Sequence, residues 1–275
     1  MSHLASDKTK QPARLMMITA HPDDAEFNAG GLMLKWAGAG QQILILCLTD
    51  GSAGHHQLRK EKLASIRQDE ALNAADLLGA KVIIWDVADG ELTASVEHRQ
   101  LLISAIRQYK PDLVVTHRTA DYHPDHRACA QLVMDACYLL QVPNIVPEVT
   151  ALKRIPPVLL FADRFQYPRP FQPDWVFDVG DVLSGVVELL HCHASQVYEW
   201  LPFTRGTTAP ENNRRQWLKQ WYSKRPQNIA RQFAKPPTSY AEAFEISEYG
   251  GKFDAQAFAF VTPADNIETE HQDKS

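Results

Sequence analysis

An α/β fold, with a Rossmann-like, mostly parallel sheet and helices on both faces, is predicted by three features of the 275-residue sequence. Short apolar runs alternate with helical stretches from residue 14 onward. The runs are continuously apolar rather than alternating, as strands covered on both faces must be. Polar, ionisable residues gather directly after the runs, where loops and helix N-termini converge in such sheets.

The elements follow in order. RLMMITA (14–20) is a buried strand, and a helix over about 26–39 ends at GAG. QQILILCLT (41–49) is a second strand. EKLASIRQDEALNAADLLG (61–79) carries apolar residues at 63, 66, 71, 74, 75, 77 and 78 and stops on a glycine, the residue that most easily adopts the left-handed C-cap. KVIIWDV is a third strand, SVEHRQLLISAIRQYK a third helix and PDLVVTH (111–117) a fourth strand. That β-α-β-α order requires crossovers between parallel strands. A helix over about 125–140 precedes two later strands, PPVLLFAD and DWVFDVG, and the helix DVLSGVVELLHCHASQ. Residues 211–237 are basic and aromatic with a break at Pro226, which suggests a helical cover over the core or its mouth. The expected organisation is a polar tail (1–13), an α/β catalytic domain (14–200) and a C-terminal helical or irregular appendage (201–275) packed on the same domain, its last dozen residues frayed.

With 45% hydrophobic residues the chain can bury a full core. A net charge of -5 and a pI near 6.1 supply no basic field, so a nucleic-acid backbone or an anionic membrane is not the expected partner. A small-molecule partner is expected, with self-association left open. No apolar stretch approaches the ~20 residues of a membrane span, and a cytoplasmic protein is expected. Cys47, Cys129, Cys137 and Cys192 form no CxxC pair and read as small buried hydrophobes.

Four loops follow the first four strands: HPDDAEF, DGSAGHH, DVADGEL and HRTADYHPDH. In the first, His21 and Asp24 are three residues apart, a spacing that one turn entering a helix brings to the same side. Adjacent Asp23 and Asp24 repel each other, so a cation or proton belongs beside them. In the fourth loop His123 and His126 repeat the spacing, with Pro124 at the start of a helix, where proline is tolerated. Either histidine completes a His-Asp-His set, and three protein ligands with one open position is the catalytic zinc pattern. Capping alone accounts for an Asp pair at a helix start, but not for two histidine-rich loops on one rim of a sheet.

The segments AHPDDAEF, LTDGSAG, RQDEALNAADLLG and PDLVVTHRTADYHPDHRACAQLVMDA resemble, in order and spacing, the motifs of the LmbE-like (PIG-L) family of zinc-dependent N-acetylglucosaminyl deacetylases. Fainter echoes occur at HCHASQ (191–196) and AEAF (241–244). The resemblance implies one zinc ion held by His21, Asp24 and His126, with Asp23 as general base. His123 would stabilise the oxyanion or protonate the leaving amine, and Asp125 would orient His123. Arg67 and Asp89 fall where family members contact substrate hydroxyls, an internal salt bridge being an equal reading for Arg67. Some family members carry a tyrosine two residues before the first histidine of the fourth-loop motif, where this chain has Asp121, with Tyr122 next to His123. His55, His56 and His117 read as loop residues near the mouth, and His191 and His193 as packing or rim histidines.

The function expected is removal of an acyl group from an N-acylated amino sugar or glycoconjugate. An amidase cleaving a larger amide is the alternative in the same chemistry. A non-catalytic metal- or nucleotide-binding module is the rival from another class, weakened by the missing GxGxxG in the first loop. Nucleic-acid binding by the basic aromatic segment near Trp217 is the remotest option.

Overall fold

The computed structural model describes residues 11–262. Most of the tail expected over 1–13 and the frayed last dozen residues lie outside them. The chain runs β1 (Arg14–Thr19), α1 (Asp24–Gly38), β2 (Gln42–Cys47), α2 (Lys60–Leu78), β3 (Lys81–Ile84), α3 (Val96–Tyr109), β4 (Leu113–Thr116), α4 (Pro124–Leu139), β5 (Val158–Phe161), β6 (Trp175–Asp178) and α5 (Leu183–Cys192). A π-helical turn (Ser195–Trp200) leads into α6 (Leu201–Thr204), α7 (Arg214–Tyr222), α8 (Lys224–Phe233) and β7 (Ala241–Ile246). A 3-10 turn over Ala255–Phe258 follows.

One seven-stranded sheet orders these strands β3-β2-β1-β4-β5-β7-β6. β1 to β5 are parallel, while β7 pairs antiparallel with both β5 and β6. The side-chain period of two explains the continuous apolar runs. Leu15 and Met17 of β1 pack on one face with Leu32, Met33 and Trp36 of α1, whereas Met16 and Ile18 pack on the other with Leu102 and Ile106 of α3 and Leu132 and Val133 of α4. Each helix covers its strand by turning an apolar stripe inward. Gly79 closes α2 at φ 62, as its sequence position predicts.

Three expectations change. The chain beyond residue 200 is not only an appendage, because β7 is inserted between β5 and β6 of the sheet. The break in the basic segment falls at Ser223, and Pro226 sits in the first turn of α8, where its missing N–H costs nothing. Cys47, Cys129 and Cys137 are buried, but Cys192 is partly exposed.

β7, with the chain after β6 and helix α5, accounts for the two glycines after the first loop. Helix α1 breaks at Ala29 (φ -144, ψ 27), and the carboxylate of Glu242 on β7 fills the break. Glu242 Oε1 accepts from Gly31 N at 2.7 Å and Oε2 from Leu32 N at 2.9 Å, so a distant side chain caps the second half of the helix. A Cβ on Gly31 would lie 2.5 Å from Val179 Cγ1 and 2.8 Å from Glu242 Oε1, and one on Gly30 would lie 2.7 Å from Val186 Cγ1. Among the described residues no helix is long and apolar enough to cross a membrane.

Candidate metal centre

Strand order reverses between β1 and β4: β1 continues to β2 on one side while β4 lies on the other. Loops from such a point diverge and leave a crevice between them, the usual ligand site of an open α/β sheet. Here the loops after β1 and β4 meet. His21 Nδ1 stands 3.2 Å from His126 Nε2, the Asp24 carboxylate comes within 3.4 Å of the first through Oδ2, and within 3.5 Å of the second through Oδ1. A tetrahedral ion with bonds of about 2.0 Å separates its ligand atoms by about 3.3 Å. The three distances are those of groups gathered around one metal ion, the contacts to His21 and His126 ending on different oxygens of Asp24, of which Oδ2 also accepts from His21 N at 2.8 Å.

The far nitrogens of both rings are held by carboxylates. His21 Nε2 lies 3.2 Å from Asp125 Oδ2 and 3.2 Å from Asp89 Oδ1, and His126 Nδ1 lies 3.0 Å from Asp121 Oδ1. A carboxylate behind each imidazole places the N–H on the outer nitrogen and leaves the inner lone pair for a metal, the pattern that orients metal-binding histidines. Burial alone would lower the basicity of His21, but hydrogen bonds to Asp125, Asp24 and Asp89 outweigh it and hold the ring well above its usual range. So much negative charge around one imidazole calls for a cation.

Three groups lie close enough to share an ion, His21–Asp89–His123–Asp125, Asp24–His117–His126 and His21–His123–His126, the last sharing both histidines with the triangle above. In the first, Asp125 is fully buried and already accepts from Gly90 N at 2.7 Å and Leu92 N at 3.2 Å, so its oxygens are committed to backbone. In the second, His117 Nε2 already lies 3.2 Å from the Ala20 N–H. The His21–Asp24–His126 face opens onto a cavity of about 910 Å³.

Asp23 caps α1 in a left-handed conformation (φ 112, ψ -25) that costs a non-glycine residue about 1–3 kcal/mol. Buried Arg67 holds it there: Nη2 donates to Asp23 Oδ1 at 3.0 Å and to the carbonyl of Pro22, while Nη1 donates to the carbonyl of Gly51 at 2.9 Å. Gly51 is at φ 66, and a Cβ there would lie 2.6 Å from Arg67 Nη1, so glycine is required at this close approach. Burial pushes Asp23 up to about 6, with the charge of Asp24 adding and that of Arg67 opposing. Asp89 goes the other way. Burial would raise it, but the hydrogen bond and charge of His21, helped by Arg67, bring it to about 2.

His123 is the N-cap of α4; its Nδ1 accepts from Asp125 N at 3.2 Å. The hydrogen of the neutral ring is thereby on Nε2, a donor on the cavity wall. Asp125 was expected to orient and charge-stabilise His123: its backbone N–H donates to His123 Nδ1 at 3.2 Å and its charge works against the burial that lowers the basicity of that ring, while its carboxylate bonds His21 instead. The reason is that residue 125 lies in the first turn of a helix, with its side chain turned back toward the sheet and its N–H toward the cap. Arg67 and Asp89 both line the cavity, but their polar atoms are largely spent on Gly51, Pro22, Asp23, Ala53 and His21.

His117, read from sequence as a mouth residue, is buried and stacks on His126 with ring centroids 4.1 Å apart. Its place at the carboxyl end of β4 was the signal. Asp121 was read only as a departure from a tyrosine, and its contact with His126 had no local signature. His55 and His56 do not line the cavity: His55 pairs with Glu199 at 3.0 Å and His56 stacks on Phe203. His193 is fully buried beside Glu26 at 3.5 Å with neither ring nitrogen hydrogen-bonded among the described residues, and His191 meets Tyr198 Oη at 2.7 Å. The HCHASQ echo has a structural cause as well: Ser195 N and Oγ each lie 2.7 Å from the Glu70 carboxylate, tying the turn after α5 to α2.

A Rossmann-like sheet with such a His–Asp–His face at its switch point defines an α/β protein able to hold a metal ion over a substrate-sized cavity. Residues 16–137 match the family model described as PIG-L: GlcNAc-PI de-N-acetylase, and the chain carries a domain of this PIG-L (LmbE-like) family. Diacetylchitobiose deacetylase of Thermococcus kodakarensis is 29% identical over 203 residues, 70% of this chain and 75% of the relative. The 4-oxalmesaconate hydratase of Pseudomonas putida is 26% identical over 198 residues, 69% of this chain and 76% of the relative. Among solved structures, N,N'-diacetylchitobiose deacetylase from Pyrococcus horikoshii superposes with a TM-score of 0.71 at 23% identity, covering 86% of this chain and 84% of its own, a likeness of fold.

Proposed function

We propose that this protein is a zinc-dependent N-deacetylase that removes an acyl group from an N-acetylated amino sugar or a conjugate containing one. The observation that carries the reading is the triangle of His21 Nδ1, Asp24 and His126 Nε2, with edges of 3.2 to 3.5 Å, beside an Asp23 carboxylate anchored by Arg67 at 3.0 Å. Zinc suits two imidazoles and a carboxylate with one position open; when bound, it supplies a Lewis acid that lowers the pKa of water toward about 7 and polarises an amide carbonyl.

The chain's own groups supply the rest. Asp23 uses one oxygen on Arg67 and keeps the other without a protein hydrogen bond, ready to accept the proton of the attacking water. His123 presents Nε2–H to the oxygen that becomes negative, where a donor already in place contributes several kcal/mol, and the proton that Asp23 takes from water passes to the departing nitrogen. His117 packs against His126 and keeps the ring from turning. Relatives named as deacetylases favour loss of a small acyl group over cleavage of a larger amide.

The hydratase relative supports a second reading, addition of water across a carbon–carbon double bond at the same centre. The two part in one assay. Purified protein, with and without chelator, is offered N-acetylglucosamine derivatives and an unsaturated polycarboxylate, with primary amine and diene absorbance followed in parallel. Chelator-sensitive amine release is expected. Diene loss without amine release from any acetamide overturns the deacetylase.

A further inference from the structure

The lining of the cavity is divided by charge. Loops after β1, β3 and β4 contribute Asp23, Asp24, Asp89 and Asp121, whereas the chain beyond β5 contributes Arg164, Arg205, Lys224 and Arg225. None of these four cations lies within 4.0 Å of a carboxylate among the described residues. Arg118 lines the same cavity and behaves differently: its guanidinium pairs with Asp163 at 2.8 Å and Glu245 at 3.1 Å and has little left to offer.

Aromatic rings hold two of the unpaired guanidinium groups. Arg205 lies over the indole of Trp221, 4.6 Å from its centroid, and Arg225 over Phe27 at 5.5 Å. Arg225 also gives Nη2 to Asn28 Oδ1 and to the carbonyl of Ala162, each at 2.7 Å, which fixes its plane. Among the described residues the side-chain N–H groups of Arg205, and Nε and Nη1 of Arg225, keep no protein partner and are open to carboxylate or phosphate. Partial burial lowers the pKa of Arg205, with the charge of Arg164 adding, and burial lowers that of Arg225, with Tyr222 and Glu242 opposing and Arg164 adding. A chain with net charge -5 has acids to spare, so leaving such mutually repelling cations unpaired in a cavity needs a ligand to relieve them.

We infer that the substrate carries a carboxylate or phosphate on the part remote from its acylated nitrogen, received by Arg205, Lys224 and Arg225 while the acyl group lies at His21, Asp24 and His126. This rests on the deacetylase reading for the reacting end of the substrate and on the unpaired cations for the other.

The test compares N-acetylglucosamine with a phosphate-bearing analogue, N-acetylglucosamine 6-phosphate, and a carboxylate-bearing one, N-acetylmuramic acid. At least one charged substrate is expected to exceed the neutral one in kcat/KM by about 10- to 100-fold, the worth of one or two charge-assisted hydrogen bonds, and the better of the two identifies the anion. In Arg205→Gln/Lys224→Gln, both residues being exposed, that ratio falls at least tenfold, mainly through KM. A second arm needs no turnover: calorimetry on metal-stripped protein compares glucosamine 6-phosphate and inorganic phosphate with glucosamine. Preferential anion binding lost in the double variant, with no amine released from any acetamide, upholds the anion site and overturns the deacetylase. Amine release at equal efficiency from neutral and charged substrates, unchanged in the double variant, overturns the anion site and leaves the deacetylase standing.

Discussion

His21 Nδ1 and His126 Nε2 lie 3.2 Å apart although 105 residues separate them in the chain. At that distance two imidazole nitrogens either share a proton or share a metal ion. The carboxylates behind both rings favour the metal, because each already takes the outer N–H.

Removing one corner of the triangle should therefore remove the ion. His126→Ala is expected to lose bound metal on gel filtration, read by elemental analysis, with activity lost in parallel. Asp121→Asn keeps a hydrogen-bond acceptor near His126 but lowers the basicity of the ring, and metal affinity should weaken about 10- to 100-fold in a chelator competition. Undiminished affinity in Asp121→Asn would remove that residue from the centre.

Asp23 is expected to act on the proton and not on the metal. Asp23→Ala should retain metal and lower kcat about 10²- to 10⁴-fold with KM little changed. Arg67→Lys keeps the charge but cannot span Gly51, Pro22 and Asp23 at once, so it should lower kcat in the same direction by a smaller factor. Loss of metal from Asp23→Ala would instead make that carboxylate a ligand.

Glu242 links stability to pH. Burial raises its carboxyl to about 7, against the opposing pull of the Gly31 and Leu32 N–H groups. An acid whose folded value is raised binds its proton more tightly in the folded state. Its contribution is thus complete below the unfolded value of 4.5 and is lost as pH rises through about 7. The span is about 3 kcal/mol, or roughly 6–12 °C in Tm for a chain of this size. Thermal unfolding between pH 5 and 8 should show the wild type losing its advantage over Glu242→Gln as pH increases. A gap that is constant, or that widens, contradicts this assignment.

Gly31→Ala tests the same joint from the helix side. The added methyl meets Val179, just past β6, and Glu242 of β7 at 2.5 and 2.8 Å; Val179 is buried and the Glu242 carboxylate is tied to Gly31 N and Leu32 N, so neither can retreat cheaply. A loss of about 1–3 kcal/mol by denaturant unfolding is expected. Gly38→Ala, with nothing within 4 Å of the new Cβ, should stabilise α1 slightly and serves as the control.

Local pattern made the alternation from β1 to α5 readable, because a strand buried on both faces and a helix with one apolar stripe each repeat within a few residues. The same locality exposed His21, Asp23, Asp24, His123 and His126, all set just past strand ends or at helix starts. β7 escaped because AEAFEI is short and follows a basic, proline-marked stretch, and because antiparallel insertion between β5 and β6 is a property of the partners, not of the segment.

What sequence determined by itself was therefore the order of elements and the cast of ionisable residues, since both depend on neighbours a few positions away. Tertiary structure alone decided that Asp125 and Asp89 back His21, that Glu242 plugs the break in α1, and that arginines from the end of the chain line one cavity with the carboxylates of its beginning. Those pairings join segments far apart in the sequence, up to 211 positions for Gly31 and Glu242, where chain direction and not local propensity chooses the partner.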